Sequence, residues 1–309
     1  MSLLEKSPRL MAWYRAARPR TLTATYAPLG LAAIIAIDHG AFNLFLFILA
    51  LIAALLLQVA ANLINEYADF RLGADEHKQA GQGMVIKQQV LRPQEVLIGA
   101  IATTLGGILI GLLLIAQSGS LLIWIGLAGV LTVVAYTAGP YPLAYHGLGE
   151  LAVFVCMGPL LVLGVYYAVS GGHYSPVPLV AGLPLGFMVA AILHANNIRD
   201  IDADRAVGKH TLAVTFGLNA ARKEYAFLVI GAYAMVVLLV VMRIMPWPTL
   251  IVFGTFPEAY RLIQIINTET ETDKLHRAQG RTAQLHGAFG LWLVIGWAIS
   301  LLARMLLVD

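Results

Sequence analysis

Two short stretches of this chain concentrate side chains able to do chemistry: NLINEYADFRLGADEHK and HANNIRDIDADRAVGKHT. Asn65, Glu66 and Asp69 of the first align with Asn196, Asn197 and Asp200 of the second, so the chain reads as a weak internal duplication. Residues i and i+4 share a helix face, which pairs Asn65 with Asp69, Asn196 with Asp200, and Asp200 with Asp204 if that helix continues. Carboxylate and amide oxygens, with no His or Cys at the matched positions, suit hard Mg²⁺, commonly held by a few carboxylates together with substrate phosphates. A diphosphate supplies such phosphates, and its remaining charge calls for Lys or Arg. The metal set expected on this reading is Asn65, Glu66, Asp69, Asp75, Asn196, Asp200 and Asp204, with Asp75 retained on its spacing alone. Lys78, Lys87, Arg92, Arg199 and Lys209, in or beside the same loops, are the expected diphosphate contacts; Arg205 lies there too. Any single charged loop is as readily a solvated one. Two matched clusters are harder to dismiss, whereas Glu76, Asp202, Glu269, Glu271 and Asp273 read as solvated charges.

The elements that position these residues belong in a membrane. Of 309 residues, 59% are hydrophobic and 12% charged, against about 45–50% and about 25% in a soluble domain. Apolar stretches fall at 23–38, 43–64, 96–116, 119–138, 148–169, 177–197, 224–242, 245–266 and 285–307, most near the roughly 20 residues that cross a bilayer. The expectation is an all-α polytopic membrane protein, one domain over 1–309, with nine transmembrane helices around a central cavity and charged loops capping it. The short first stretch and the eighth, with Pro246, Pro248 and Pro257, are the ones expected to tilt or kink. The N-terminus shows no small-residue cleavage site, so no cleaved signal peptide is expected. The single cysteine, Cys156, closes no intrachain disulfide.

With nine spans, Arg243 and Arg304 fall on one side and the other eighteen of the twenty Lys and Arg on the opposite side. The positive-inside rule then puts the N-terminus and the three long charged loops in the cytoplasm and the C-terminus across the membrane. All the clustered chemistry lies on the cytoplasmic side. A secondary transporter also combines repeats with intramembrane acids, but its coupling sites lie near the bilayer midplane, whereas these acids sit at helix ends. An alcohol phosphatidyltransferase would carry D-G-x-x-A-R, which is absent. The lipid bilayer is an expected partner; nucleic acid is not.

These motifs resemble those of the UbiA superfamily of membrane prenyltransferases, over nearly the whole chain. The family's first motif is usually N-D-x-x-D with a later Asp, and Asn65, Glu66, Asp69 and Asp75 match it with Glu in place of the second Asp. The D-F-R-L-G-A-D spacing, N-N-I-R-D-I-D-A-D-R, G-K-H-T-L-A-V, YTAGPYPLAYHGLGE and RPRTL are similar to the menaquinone-branch enzymes, which prenylate 1,4-dihydroxy-2-naphthoate. The loop GQGMVIKQQVLRP resembles the family's G-x-G-R-x-[IL] segment, with Met84 where Arg is expected. The resemblance implies nine helices and Mg²⁺-dependent transfer of a polyprenyl group from its diphosphate to an aromatic acceptor. Other quinone precursors of the 4-hydroxybenzoate or homogentisate type, and glycerol phosphate, stand behind the naphthoate. Asp69, Asp200 and Asp204 would be the catalytic carboxylates, their metal ions neutralising the departing diphosphate while Arg199 and Lys209 assist. Tyr136 and Tyr141, with Tyr145 nearby, would line the acceptor pocket or face an allylic cation; as interfacial aromatics they equally need no such role. His194 reads as a contact to the site or as a hydrogen bond to a neighbouring helix.

Overall fold

The computed structural model describes residues 7–73 and 83–308; Asp75 and Lys78, expected in the site, lie outside the described residues. A short amphipathic helix, α1 (Pro8–Ala16), is capped by the Ser7 side chain and leads through a 3₁₀ turn, Pro19–Leu22, into α2 (Thr23–Asp38). There follow α3 (Leu44–Arg71), α4 (Pro93–Ser118), α5 (Leu121–Ala135), α6 (Gly149–Val169) and α7 (Val177–Arg199). Short helices α8 (Ile201–Ala206) and α9 (Leu212–Phe216) precede α10 (Leu218–Val241), a 3₁₀ stretch Trp247–Thr255, α11 (Phe256–Thr268) and the long α12 (Thr272–Val308). No strand occurs among the described residues.

Each expected apolar stretch coincides with helix, but not all of them alike. Among the described residues six helices, α3, α4, α6, α7, α10 and α12, are long and apolar enough to cross a membrane. The 16 residues of α2 reach only about 24 Å at 1.5 Å per residue, short of a hydrocarbon layer about 30 Å thick. α5 is of similar length, and the eighth stretch is 3₁₀ around Pro246 and Pro248 before it becomes the 13-residue α11.

Burial runs inside out, as a bilayer solvent dictates. Leu44, Phe45, Ile98, Leu109, Trp124 and Leu131 on α3, α4 and α5 are exposed large apolar side chains that only lipid would welcome. α7 is the opposite: 67% of its apolar window is buried, against 17% for α4, so α7 is the central post against which α6, α10 and α12 pack. The α6–α7 crossing is backbone to backbone. A Cβ on Gly158 would sit 2.5 Å from the Gly186 Cα and 2.8 Å from the Gly182 carbonyl oxygen, the close approach that small residues permit between membrane helices. α6 carries a π-type turn at Cys156–Leu160, around Pro159, a distortion common near functional sites.

A second, smaller apolar cluster joins Ala12 and Ala16 of α1, Leu63 of α3, Val85, Ile86 and Leu91 of the loop after it, and Val96 and Ala100 of α4. It anchors the Gly83–Leu91 segment to the same end of the bundle at which α3 and α7 finish. The opposite end is tied by Asp38, which accepts from the Trp297 indole at 2.9 Å and pairs with Arg304.

Candidate active site

One cavity of about 310 Å³ opens between α2, α3, α5, α6 and α7, and both i,i+4 pairs line it: Asn65 with Asp69 at the end of α3, Asn196 with Asp200 at the end of α7. Arg18, Arg199 and Lys209 bring cationic groups to the same wall. Deeper in, Leu57, Val133, Met157, Leu161, Val189 and Ile192 make it apolar. The π turn of α6 carries two of the lining residues, Cys156 and Met157. The arrangement is polar and charged at the loop end and greasy toward the bundle interior, suited to an amphiphile with an anionic head.

The second motif is held in a dense network. Arg199 donates from Nε to Asp200 Oδ1 at 2.7 Å and from Nη2 to Asp200 Oδ2 at 2.6 Å, and Nη2 also reaches Asn196 Oδ1 at 2.7 Å. Nη1 is steadied by α12, through Gln279 Oε1 at 3.3 Å and His276 Nδ1 at 2.9 Å. Bidentate pairing neutralises Asp200 in the resting protein.

Of the two middle residues of the aligned motifs, Asn197 lines the cavity and Glu66 does not, and both are engaged in buried hydrogen bonds. Asn197 donates to Glu150 Oε1 at 2.8 Å, the same oxygen that meets His194 Nδ1 at 2.9 Å, while His194 Nε2 faces the Ala221 carbonyl at 2.9 Å. Both ring nitrogens of His194 therefore have partners within the protein. The Glu150, His194 and Glu224 cluster is thus a helix tie, and His194 proves to be an interhelical hydrogen-bonding residue joining α6, α7 and α10.

Glu66 does not line the cavity. Buried at 1% exposure, its carboxylate accepts the backbone N–H groups of Val85 at 2.6 Å and Met84 at 3.0 Å instead of facing the cavity. Asp204 does not line it either. α7 ends at Asp200 (φ −99°, ψ 13°), so α8 is a separate turn; Asp204 is buried outside the cavity lining and pairs with Lys209 Nζ at 3.2 Å. Asp204 thereby holds the lysine that does line the cavity, with Lys209 also 5.7 Å from the Tyr145 ring centroid.

Lys87 and Arg92 are exposed and do not line the cavity, because the loop buries Val85, Ile86 and Leu91 in the smaller cluster and turns the intervening polar residues outward. The Arg92 backbone N–H is instead capped by Glu95 at 2.8 Å at the start of α4. Tyr136 lines the cavity, whereas Tyr141 is 57% exposed and stacks on His146 with ring centroids 3.6 Å apart.

Arg18 also lines the cavity, a residue that counting cations in the sequence does not single out. It stands in the left-handed region (φ 52°) just before the Pro19–Leu22 turn and its guanidinium lies 3.6 Å from Glu66. Asn62 of α3 fixes that turn, donating to the Ala17 carbonyl at 2.8 Å and the Thr21 hydroxyl at 3.3 Å. The stretch RPRTL was legible as a motif, but nothing in its spacing said which of its arginines, or the one before it, would turn inward.

This fold and site define a polytopic helical membrane protein with a cavity lined at its loop end by Asn65, Asp69, Asn196 and Asp200 and by Arg18, Arg199 and Lys209. Residues 26–278 match the UbiA prenyltransferase family, and the chain belongs to that family; it is a prenyltransferase. It is 34% identical over 284 residues to a 1,4-dihydroxy-2-naphthoate octaprenyltransferase of Bacillus subtilis, covering 92% of this chain and 91% of that one. The Escherichia coli protein of the same description is 33% identical, covering 72% and 74%. A UbiA prenyltransferase domain-containing protein 1 of Danio rerio is 34% identical, covering 74% and 68%. Among solved structures, a UbiA homologue from Aeropyrum pernix superposes with a TM-score of 0.69 at 16% identity, over 89% of this chain and 97% of that chain. A homologue from Archaeoglobus fulgidus, bound to DMAPP and Mg²⁺, gives 0.59 at 16% identity over 91% and 98%.

Proposed function

We propose that this protein transfers a polyprenyl group from polyprenyl diphosphate to 1,4-dihydroxy-2-naphthoate, with loss of the acceptor's carboxylate, as a step of menaquinone biosynthesis. The observation that carries the reading is the convergence of Asn65, Asp69, Asn196 and Asp200 with Arg18, Arg199 and Lys209 on one cavity whose depth is apolar. The relatives named for this acceptor, 34% and 33% identical, support the choice of naphthoate.

The donor set fits Mg²⁺: Asp69, Asp200, Asn65 and Asn196 offer only oxygen, and no His or Cys stands among them on that wall. When bound, Mg²⁺ would supply Lewis-acid neutralisation of the departing diphosphate. Arg18 and Lys209 hold diphosphate oxygens, and Arg199 joins them once its hold on Asp200 is relaxed. The apolar depth takes the prenyl tail and keeps water from the allylic cation. The C–O bond to diphosphate breaks with its electron pair leaving on oxygen. The ring carbon bearing the carboxylate then bonds to the allylic carbon, and carbon dioxide departs, returning its bonding pair to the ring. Tyr136, which lines the cavity, is placed to donate a hydrogen bond to the acceptor. Asp69 and Asp200 remain the proposed catalytic carboxylates, and Asp204 serves by holding Lys209.

Residues 1–309 are read as one transmembrane domain of nine spans, α2 and α5 crossing as short helices and the Trp247–Thr268 stretch as a broken one. With nine spans, eighteen of the twenty Lys and Arg fall in the sequence on the N-terminal side, which supports a cytoplasmic site and N-terminus, with the C-terminus opposite. The reading is tested by incubating the purified protein in nanodiscs with Mg²⁺, labelled polyprenyl diphosphates of several lengths and a panel of acceptors. Prenylated naphthoquinol with stoichiometric carbon dioxide is expected; product only from 4-hydroxybenzoate, homogentisate or glycerol phosphate overturns the acceptor.

A further inference from the structure

We infer that Glu66 is a positioning residue: it latches the Gly83–Leu91 segment onto the end of α3, and through that segment shapes the cavity wall, instead of ligating a metal. The kinetic part of this inference rests on the proposed reaction; the structural part does not.

Both carboxylate oxygens are occupied. Oε1 takes the Val85 N–H at 2.6 Å, with the Ile86 nitrogen at 3.5 Å; Oε2 takes the Met84 N–H at 3.0 Å and faces the Arg18 guanidinium at 3.6 Å. Met84 has φ 54°, so its N–H and the next point the same way, making the small anion-binding nest that successive backbone amides form around a left-handed residue. The protein fills that nest with its own carboxylate. Arg15 holds the loop from the other side, donating to the Gly83 carbonyl at 2.9 Å. Gly83 itself is demanded twice, by φ 82° and because a Cβ there would stand 2.2 Å from Glu66 Oε2.

The two positions at which this chain departs from the family pattern, Glu66 and Met84, are thus in direct contact. Glutamate length is what lets the contact form. An aspartate is shorter by one C–C bond, about 1.5 Å, enough to carry a 2.6 Å or 3.0 Å hydrogen bond past its useful range. Met84 and Arg18 both line the cavity, so the latch fixes two pieces of its wall, one apolar and one cationic. Restoring the family's usual residue with Glu66→Asp should therefore harm this protein.

The test compares Glu66→Asp, Glu66→Gln and Glu66→Ala with the parent, full-length in nanodiscs. Amide hydrogen exchange of the ligand-free protein should speed at least ten-fold at Met84 and Val85 in the Asp and Ala variants, and less in Gln, which keeps one acceptor oxygen. In the transfer assay those two variants should raise the KM for polyprenyl diphosphate about ten-fold, with the Mg²⁺ concentration for half-maximal rate unchanged. Gly83→Ala, which pushes on the latch from the loop side, should reproduce the exchange change with Glu66 intact. A ten-fold rise in the Mg²⁺ requirement with unchanged amide exchange would make Glu66 a metal ligand and overturn the inference, as would exchange equal to the parent in every variant. Because exchange is read without substrate, it decides the latch even if no acceptor is prenylated.

Discussion

Replacing Glu150 with leucine gives the sharpest test of how the second motif is held. Glu150 is 5% exposed and its Oε1 accepts from both His194 Nδ1 and Asn197 Nδ2, at 2.9 and 2.8 Å. Glu150→Leu strips both donors of their acceptor. Orphaning a buried donor costs about 1–3 kcal/mol, so two give about 2–6 kcal/mol, and removing one partner of a buried ion pair costs about 3–5 kcal/mol. An ordinary interhelical hydrogen bond in a membrane protein contributes only about 0.6 kcal/mol. The two cases are far enough apart to separate by denaturant unfolding in mixed micelles. Glu150→Leu should lose about 3–5 kcal/mol, and the double substitution Glu150→Leu with His194→Phe should lose less than the sum of the singles, because His194 no longer leaves an uncompensated charge. A loss below about 1 kcal/mol with additive singles would refute the ion-pair reasoning, reducing the contact to a neutral hydrogen bond.

Asp204→Asn should loosen Lys209, whose Nζ it holds at 3.2 Å, raising the KM for polyprenyl diphosphate several-fold while the Mg²⁺ requirement stays put; steady-state kinetics across a metal titration checks this. Tyr136 lines the cavity, so Tyr136→Phe should raise the KM for the acceptor and leave that for polyprenyl diphosphate unchanged, as steady-state kinetics with each substrate varied would show.

The helices and the two Asn-to-Asp pairs were legible because each rests on a local rule: apolar length for the spans, i,i+4 geometry for the pairs. Asn65 and Asp69, like Asn196 and Asp200, do share a face, and both faces look into one cavity. What lies past a helix end was less legible. Asp204 extends the α7 face only if that helix continues, and the helix breaks at Asp200. Glu66 matched a motif by type, yet its direction is set by a loop some twenty residues on, whose amides needed an acceptor. Lys87 and Arg92 were expected inside from charge alone; hydrophobic burial of Val85, Ile86 and Leu91 decided otherwise. Arg18 could not be separated from Arg15 or Arg20 by counting cations, since its inward turn depends on a left-handed backbone and on Asn62 across the helix gap.

The central claim is that two carboxylates, one from each half of the chain, act together on one metal-bound diphosphate. Its most direct test is prenyl transfer to 1,4-dihydroxy-2-naphthoate by protein in nanodiscs, across a Mg²⁺ titration, for the parent and for Asp69→Asn, Asp200→Asn and the double variant. Each single should cut the rate by at least a hundred-fold, and the double no further than the worse single, since groups that act as a unit are not additive. A parent rate independent of Mg²⁺, or either single variant transferring at the parent rate, would contradict the account.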